Sequence, residues 1–285
     1  MSIAFTMQKF QDWFTQQWVI LRGQKFNPLE TPWLIGPYGE IGGIGEDFIA
    51  QLSENENLII KRDVEEKGLL HSMDMLHLPK TDLEKLSKKV IDFYEHTADF
   101  QLHFQAKWNP FFKLWGLIIN RLFSQRINQL NIPAKNNEDG NLTSEIIELI
   151  SRNNNKIKYT IWLRKFKSTG KIIYSGIYET CELPSGTTCI KAAFPLPKGN
   201  ATVLMKPSVG ENGELILDSS GKKFGDAGFY FLVKDSKDNH WAQFIRSFTD
   251  KLIVFEKNDS LCAKQTLRLW NFKVVNFNYL IQSHS

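Results

Sequence analysis

The sequence predicts an α+β protein in which N-terminal helices pack on a C-terminal curved antiparallel β-sheet or incomplete β-barrel. Two observations support this class. Before residue 135, apolar residues recur at three- and four-residue steps, which is the period of an amphipathic helix. After residue 142 they alternate with polar residues, as in a strand, and turn residues separate the runs. We therefore predict a mainly helical region, 1–135, and a β-rich region, 142–285, that share one core.

Three helices are predicted in the N-terminal region. The first spans residues 4–21, where six apolar residues form one stripe: Phe5, Phe10, Trp13, Phe14, Trp18 and Leu21. The second spans residues 82–104, because Thr81 followed by Glu84 is a capping-box pattern that marks a helix start. The third spans residues 111–130, between Pro110 and Pro133.

The C-terminal region contains nine predicted strands. They cover residues 157–166, 171–181, 188–194, 200–206, 214–219, 228–234, 251–256, 264–270 and 273–282. Short turns between sequential strands favour an antiparallel meander that is closed or nearly closed. A late helix over residues 240–250 is predicted from the spacing of Trp241, Phe244, Ile245 and Phe248.

Composition bounds the class and the compartment. Of the 285 residues, 42% are hydrophobic and 23% are charged, which excludes a disordered chain. Three cysteines are too few for a small disulfide scaffold. No secretory signal and no run of roughly 18 apolar residues is visible, so we expect a cytoplasmic protein, with peripheral membrane attachment as an alternative.

Cys181 and Cys189 flank a predicted turn at residues 183–186 and can face each other across a hairpin. Free thiols are the interpretation that suits a reducing compartment, and a cross-strand disulfide is the alternative.

Cations are unevenly distributed along the chain. Residues 100–137 contain five basic side chains and no acidic one. In the predicted helix over residues 111–130, Lys113, Arg121 and Arg126 accompany several aromatic residues, a combination typical of a helix that contacts an anionic membrane surface or a partner protein. A buried helix whose long cations extend to solvent explains the same pattern. The small net charge of +4 argues against a nucleic-acid partner.

A polar stripe lies on the predicted helix over residues 82–104. Glu95, His96 and Asp99 are candidate catalytic residues, because a carboxylate and an imidazole can act as acid and base. His96, Asp99 and His103 are weaker candidates for metal ligands, since no named metal motif matches their spacing. A solvated helix face explains the stripe equally well, and the sequence identifies no cofactor.

The preferred hypothesis is binding of a hydrophobic, anionic small molecule, such as an acyl chain or lipid, between the curved sheet and the helix over residues 111–130. Trp115 and Tyr178 provide apolar walls in this hypothesis, and Arg164 and Arg246 contact the anionic head group. Two alternatives stay open: an enzyme that uses residues 92–103 as an acid–base or metal site, and a peripheral membrane or partner-binding protein.

Overall fold

The structure, a computed structural model, describes residues 2–5, 10–40, 44–62, 67–112 and 140–283. Within these ranges most residues form antiparallel strands, which join into one fourteen-stranded sheet. Short helices lie against the outside of the sheet and across one end of it. The predicted curved antiparallel sheet is therefore confirmed, but the protein is mostly β, and the α+β description fits only in part.

The helices are α1 (Phe10–Arg22), α2 (Asp47–Asn55), α3 (Lys80–Leu83) and α4 (Lys88–Glu95), with 3₁₀ turns at Met73–Leu76 and Thr97–Asp99. The strands are β1 (Gln24–Phe26), β2 (Leu58–Lys61), β3 (Phe100–Trp108), β4 (Gly140–Ser151), β5 (Ile157–Phe166), β6 (Ile172–Glu182), β7 (Thr188–Leu196), β8 (Gly199–Val209), β9 (Leu215–Asp218), β10 (Gly228–Lys234), β11 (His240–Phe244), β12 (Phe248–Lys257), β13 (Ser260–Leu269) and β14 (Phe272–Ser283).

Ten of these strands close into a barrel. Their order is β9-β12-β13-β14-β3-β4-β5-β6-β7-β8, and pairing of β8 with β9 completes the ring. Strand β8 makes this closure possible because it changes partners along its length. Residues 199–204 pair with β10, whereas residues 206–209 pair with β9. Strands β10, β11 and β1 continue the sheet outside the ring.

The two faces of the barrel wall pack differently. Successive side chains of a strand point to opposite faces, so each strand contributes one set inward and one outward. On β5, Ile161 and Leu163 point outward and pack with Phe48 and Ile49 of α2 in a hydrophobic cluster. On the other face of β5, Trp162 belongs to the interior cluster, which also includes residues drawn from 69–108.

The predicted first helix is confirmed from Phe10 onward, as α1, but its buried face is not the predicted one. Phe10 and Phe14 are exposed, whereas Val19 and Ile20 are buried. Those two residues pack with Val233 of β10, because α1 lies against the β10–β11 extension of the sheet.

The predicted helix over residues 82–104 is wrong. The chain forms α3 and α4 and then enters β3. At the end of α4 the Thr97 hydroxyl donates to the Phe93 carbonyl (2.6 Å) and accepts from the Leu69 amide (3.2 Å), so side-chain bonds end the helix. From residue 100 onward, buried positions alternate with more exposed ones: Phe100, Leu102, Phe104, Ala106 and Trp108 are the buried set.

The predicted helix over residues 240–250 is also wrong, because these residues form β11 and the start of β12. The carboxylate of Asp235 holds the turn that precedes β11. It accepts from the amides of Lys237 (2.8 Å) and Asn239 (3.0 Å) and from the indole of Trp241 (3.0 Å). Strand β11 then pairs with β1 and β10 on both sides, and this pairing overrides the helical spacing.

The third predicted helix is described only over residues 110–112; its remainder lies outside the described residues, as do Lys113, Trp115, Arg121 and Arg126. Most of the predicted region boundary between residues 135 and 142 lies there too, so the division into two regions stays a prediction.

Candidate functional site

A cavity of about 270 Å³ lies inside the barrel. Rings and aliphatic side chains form most of its wall, and Leu69, Leu70 and Tyr94 close it on the side of α4. Its polar lining is small and includes Arg164, Glu179, Asp250, Gln265 and the hydroxyls of tyrosines. A mostly apolar cavity with a few convergent polar groups is the usual form of a small-molecule site, although typical volumes begin at about 300 Å³.

Small inward residues leave this space unfilled. Gly176, Ala192 and Ala201 occupy inward positions on β6, β7 and β8, where large side chains would meet in the centre. At Gly176 a Cβ atom would lie 2.7 Å from the Phe194 ring, so only glycine lets that ring lie against β6. The ring of Phe194 is thereby held to the wall instead of crossing the cavity.

Arg164 is the buried cation of the cavity. Its side chain is 6% exposed, and its guanidinium carbon lies 3.8 Å from the centre of the Trp162 ring and 4.5 Å from that of Tyr174. Nη2 donates to the hydroxyl of Tyr178 at 2.9 Å. Among the described residues no carboxylate pairs with Arg164, and Nε has no hydrogen-bond partner. A buried guanidinium without a counter-charge is costly unless an anion compensates it.

Tyrosine hydroxyls surround this cation. Burial raises the pKa of Tyr94, Tyr174 and Tyr279, and the charge of Arg164 only partly opposes the rise. The pKa of Tyr178 is raised by the same cause. The phenols therefore stay neutral and can donate hydrogen bonds to an anion in the cavity.

A second polar group lies on β12 and β13. Gln265 Nε2 donates to Asp250 Oδ2 at 2.6 Å, and the hydroxyl of Tyr279 donates to Gln265 Oε1 at 3.3 Å. Asp250 Oδ1 is buried and has no partner among the described residues. Burial raises the pKa of Asp250 to about 7, the bond from Gln265 opposes the rise, and the charge of Asp218 adds to it. Near neutral pH this carboxyl group therefore exists in both protonation states.

Of the four predicted ligand-binding residues, the structure brings two together. Arg164 and Tyr178 are hydrogen-bonded inside the cavity. Arg246 is exposed in the turn between β11 and β12 and does not line the cavity, because the helix that was to point it inward does not form. Trp115 lies outside the described residues.

The predicted catalytic and metal residues are separated, because the helix that aligned them does not exist. Glu95 accepts from the Met73 amide at 2.7 Å, and His96 pairs with Asp92 at 2.9 Å. Asp99 lies in the 3₁₀ turn, and His103 lies on β3, where it bonds Gln282 at 3.1 Å. The described residues contain no cluster of three groups suited to a metal ion.

Asp250 and Gln265 are the cavity residues that the sequence did not identify. Asp250 is the last residue of the wrongly predicted helix over 240–250, next to the predicted strand over 251–256. The sequence does contain a pattern that identifies Asp250, because Phe248, Asp250, Leu252 and Val254 occupy every second position along one strand. An acidic residue inside an otherwise apolar alternating set marks an inward polar position.

The two cysteines that flank the β6–β7 turn are direct cross-strand neighbours but are not bonded to each other. Burial raises the pKa of Cys181 to about 11 and that of Cys189 to about 12, so both thiols are protonated and weakly reactive near neutral pH. The free-thiol interpretation thus matches the structure.

Comparison with known proteins gives a limited likeness. The chain is 26% identical over 193 residues to the "Uncharacterized membrane protein YndJ" of Bacillus subtilis (strain 168). The match covers 67% of this chain and 33% of that protein, so the chain spans about a third of the relative's length. No known family model and no solved structure matches the chain.

This likeness does not assign the chain to a family, and the name of the Bacillus subtilis protein describes that protein alone. Within the described part of the chain, no helix has both the length and the apolar character needed to cross a bilayer.

Proposed function

We propose that the barrel binds an apolar small molecule with one anionic head group, such as a medium-length carboxylic acid. The anion occupies the space next to Arg164, and the apolar part lies along the rings and aliphatic side chains of the cavity. The guanidinium of Arg164, buried in a mostly apolar cavity without an ion-pair partner among the described residues, is the observation that carries this proposal.

The geometry around Arg164 suits a carboxylate. The rings of Trp162 and Tyr174 lie against the guanidinium, and the Tyr178 hydroxyl accepts a hydrogen bond from Nη2. The Nε–H group therefore remains available to donate to a ligand. Guanidinium–carboxylate bonds are charge-assisted and stronger than neutral ones. An anion at this position would satisfy the unused donor and the buried charge together.

Asp250 gives the cavity a second polar end. In its protonated form it can donate one hydrogen bond from Oδ1, which has no partner in the described part of the protein. In its ionised form it would repel an anion nearby. We therefore expect the apolar part or a neutral polar group of the ligand, rather than a second anion, at this end.

The test is binding of decanoate, decanol and decylamine, measured by titration calorimetry on the wild-type protein and on Arg164→Gln. Hydrogen bonds to charged groups contribute about 1.5–3 kcal/mol. We expect decanoate to bind wild-type protein and to lose at least tenfold in affinity in Arg164→Gln. Decanol should change little between the two proteins, and decylamine should bind neither tightly.

Arg62→Gln is the matched control, because it is the same substitution at an arginine that does not line the cavity. Arg62 pairs with Glu46 at 2.8 Å and with Glu145 at 3.3 Å. Decanoate affinity should survive in this variant if it folds. Equal decanoate affinity in wild type and Arg164→Gln, or no binding to wild type, would overturn the proposal.

A further inference from the structure

One end of the barrel carries exposed aromatic side chains. Phe111 is 78% exposed, Trp270 is 68% exposed and Phe272 is 64% exposed. They belong to neighbouring segments: the Asn109 amide donates to the Val274 carbonyl at 2.9 Å, and the Trp270 amide to the Ser247 carbonyl at 2.8 Å. Residues 107–112, 245–249 and 266–273 thus form one surface, which we name the aromatic–basic end.

The charge of this surface is entirely positive. It contains Lys107, Arg246, Arg268 and Lys273, all exposed, and its three segments contain no acidic residue. Arg268 and Lys273 are direct cross-strand partners, so two like charges lie side by side. None of the four cations forms an ion pair with another residue in the described ranges.

The opposite end of the barrel has a different character. There α4 lies across the opening, and its Lys89 pairs with Glu256 and Asp259, both at 2.9 Å. The cavity wall includes Tyr94 at this capped end and Phe248 and Leu267 near the other. The aromatic–basic end therefore lies beside the part of the cavity that no described helix covers.

We propose that the aromatic–basic end docks on an anionic lipid surface. Exposed tryptophan and phenylalanine rings suit the boundary between headgroups and acyl chains, and unpaired cations around them suit anionic headgroups. The absence of acidic residues in the three segments favours a uniformly anionic surface, because a protein partner commonly presents charges of both signs. The surface is built from described residues alone and does not use Lys113, Arg121 or Arg126.

Docking in this orientation places the end of the barrel that no described helix covers toward the acyl layer. An apolar ligand could then pass between bilayer and cavity without crossing water. The docking proposal does not require the cavity proposal, since the residues of the aromatic–basic end named here lie outside the cavity except for Phe248 and Leu267.

The test is sedimentation of the full chain with phosphatidylcholine vesicles, either pure or with about a third phosphatidylserine. We expect binding to the anionic vesicles only, weakened by raising salt from about 0.05 to 0.5 M. Each cation near such a surface is worth roughly fivefold in affinity. The triple variant R246Q/R268Q/K273Q should therefore bind about a hundredfold more weakly.

A second variant, W270S/F272S, keeps the charge and removes the rings, and it should also lose vesicle affinity. The matched control is K222Q/K223Q/K237Q, which removes three exposed lysines elsewhere on the surface. It should bind vesicles like wild type.

Failure of wild type to bind anionic vesicles, or equal binding by the triple variant and its control, overturns the docking proposal. So does a concentration-dependent dimer that W270S/F272S abolishes, because the rings would then join two copies of the chain. Decanoate affinity measured in the same variants separates the two proposals: the vesicle variants should retain it, and Arg164→Gln should bind vesicles normally.

Discussion

The inner and outer faces of β5 carry opposite kinds of side chain one residue apart. Outward, Ile161 and Leu163 are at most 1% exposed and lie in a hydrophobic cluster against α2. Inward, Trp162 and Arg164 face a cavity with an uncompensated cation. The outer layer is packed to hold the barrel wall in place, whereas the inner layer leaves space and polar groups unsatisfied. We therefore expect the outer face to contribute most to stability and the inner face to be the one available to a ligand.

The largest effect should come from breaking the outer layer. Ile161→Asp would place a carboxylate in the hydrophobic cluster between β5 and α2. An unpaired buried charge and the lost apolar contacts together should cost more than about 5 kcal/mol, enough to prevent folding. Circular dichroism and urea unfolding measure this.

Ile161→Val is the matched control, because it removes one methylene and should cost about 0.5–1.5 kcal/mol. If Ile161→Asp folds with nearly wild-type stability, the outer layer is not the part that holds the wall.

The sequence predicted the outer and inner faces of β5 but not their roles. Strict alternation over residues 157–166 identified two sets, and the strands from β5 to β14 were found with the exception of β11. Alternation alone does not say which set faces a helix and which faces the barrel interior. That depends on closure through β8 and β9, a contact set by the change of partners along β8.

The same limit explains the site predictions. Arg164 and Tyr178, two of the predicted ligand-binding residues, lie together on the cavity wall, because they are on adjacent strands whose register is set by a short turn. Arg246 lies outside the cavity because the helix predicted from the spacing of Trp241, Phe244 and Phe248 does not form. Their segment pairs instead with strands that are distant in sequence. Strand β3 is missed for a related reason: the helix predicted from the capping signal at Thr81 extends to residue 104, although residues 100–108 alternate between buried and more exposed positions.

The inner face should respond to pH through Asp250. Its pKa is raised to about 7 in the folded protein, against about 3.9 in an unfolded chain. Between these values the folded state keeps a proton that the unfolded state releases. This contribution to stability is therefore complete below about pH 4 and is lost as the pH rises to about 7. The difference corresponds to at most about 4 kcal/mol.

Asp250→Asn isolates this contribution, because the amide oxygen can still accept from Gln265 and cannot ionise. We expect the variant to be more stable than wild type at pH 8 and close to wild type at pH 4. Urea midpoints measured from pH 4 to pH 8 give the comparison. A stability difference that does not change with pH would show that Asp250 keeps an ordinary pKa, and that the inner face is better solvated than the cavity geometry indicates.

The smallest effect on stability should come from filling the inner face. Ala192 is 2% exposed and lies opposite Tyr178, with its side chain on the cavity wall. Ala192→Leu adds apolar volume where space exists, so the free energy of unfolding should change by less than about 1.5 kcal/mol in either direction. Decanoate affinity should nevertheless fall strongly, because the added side chain occupies the ligand's space.

A stability loss of several kcal/mol would mean that the cavity is already filled by neighbouring side chains. An unchanged affinity would place the ligand elsewhere. Normal stability with lost binding is the result that separates the two faces, since the same kind of apolar substitution on the outer face has no space to enter.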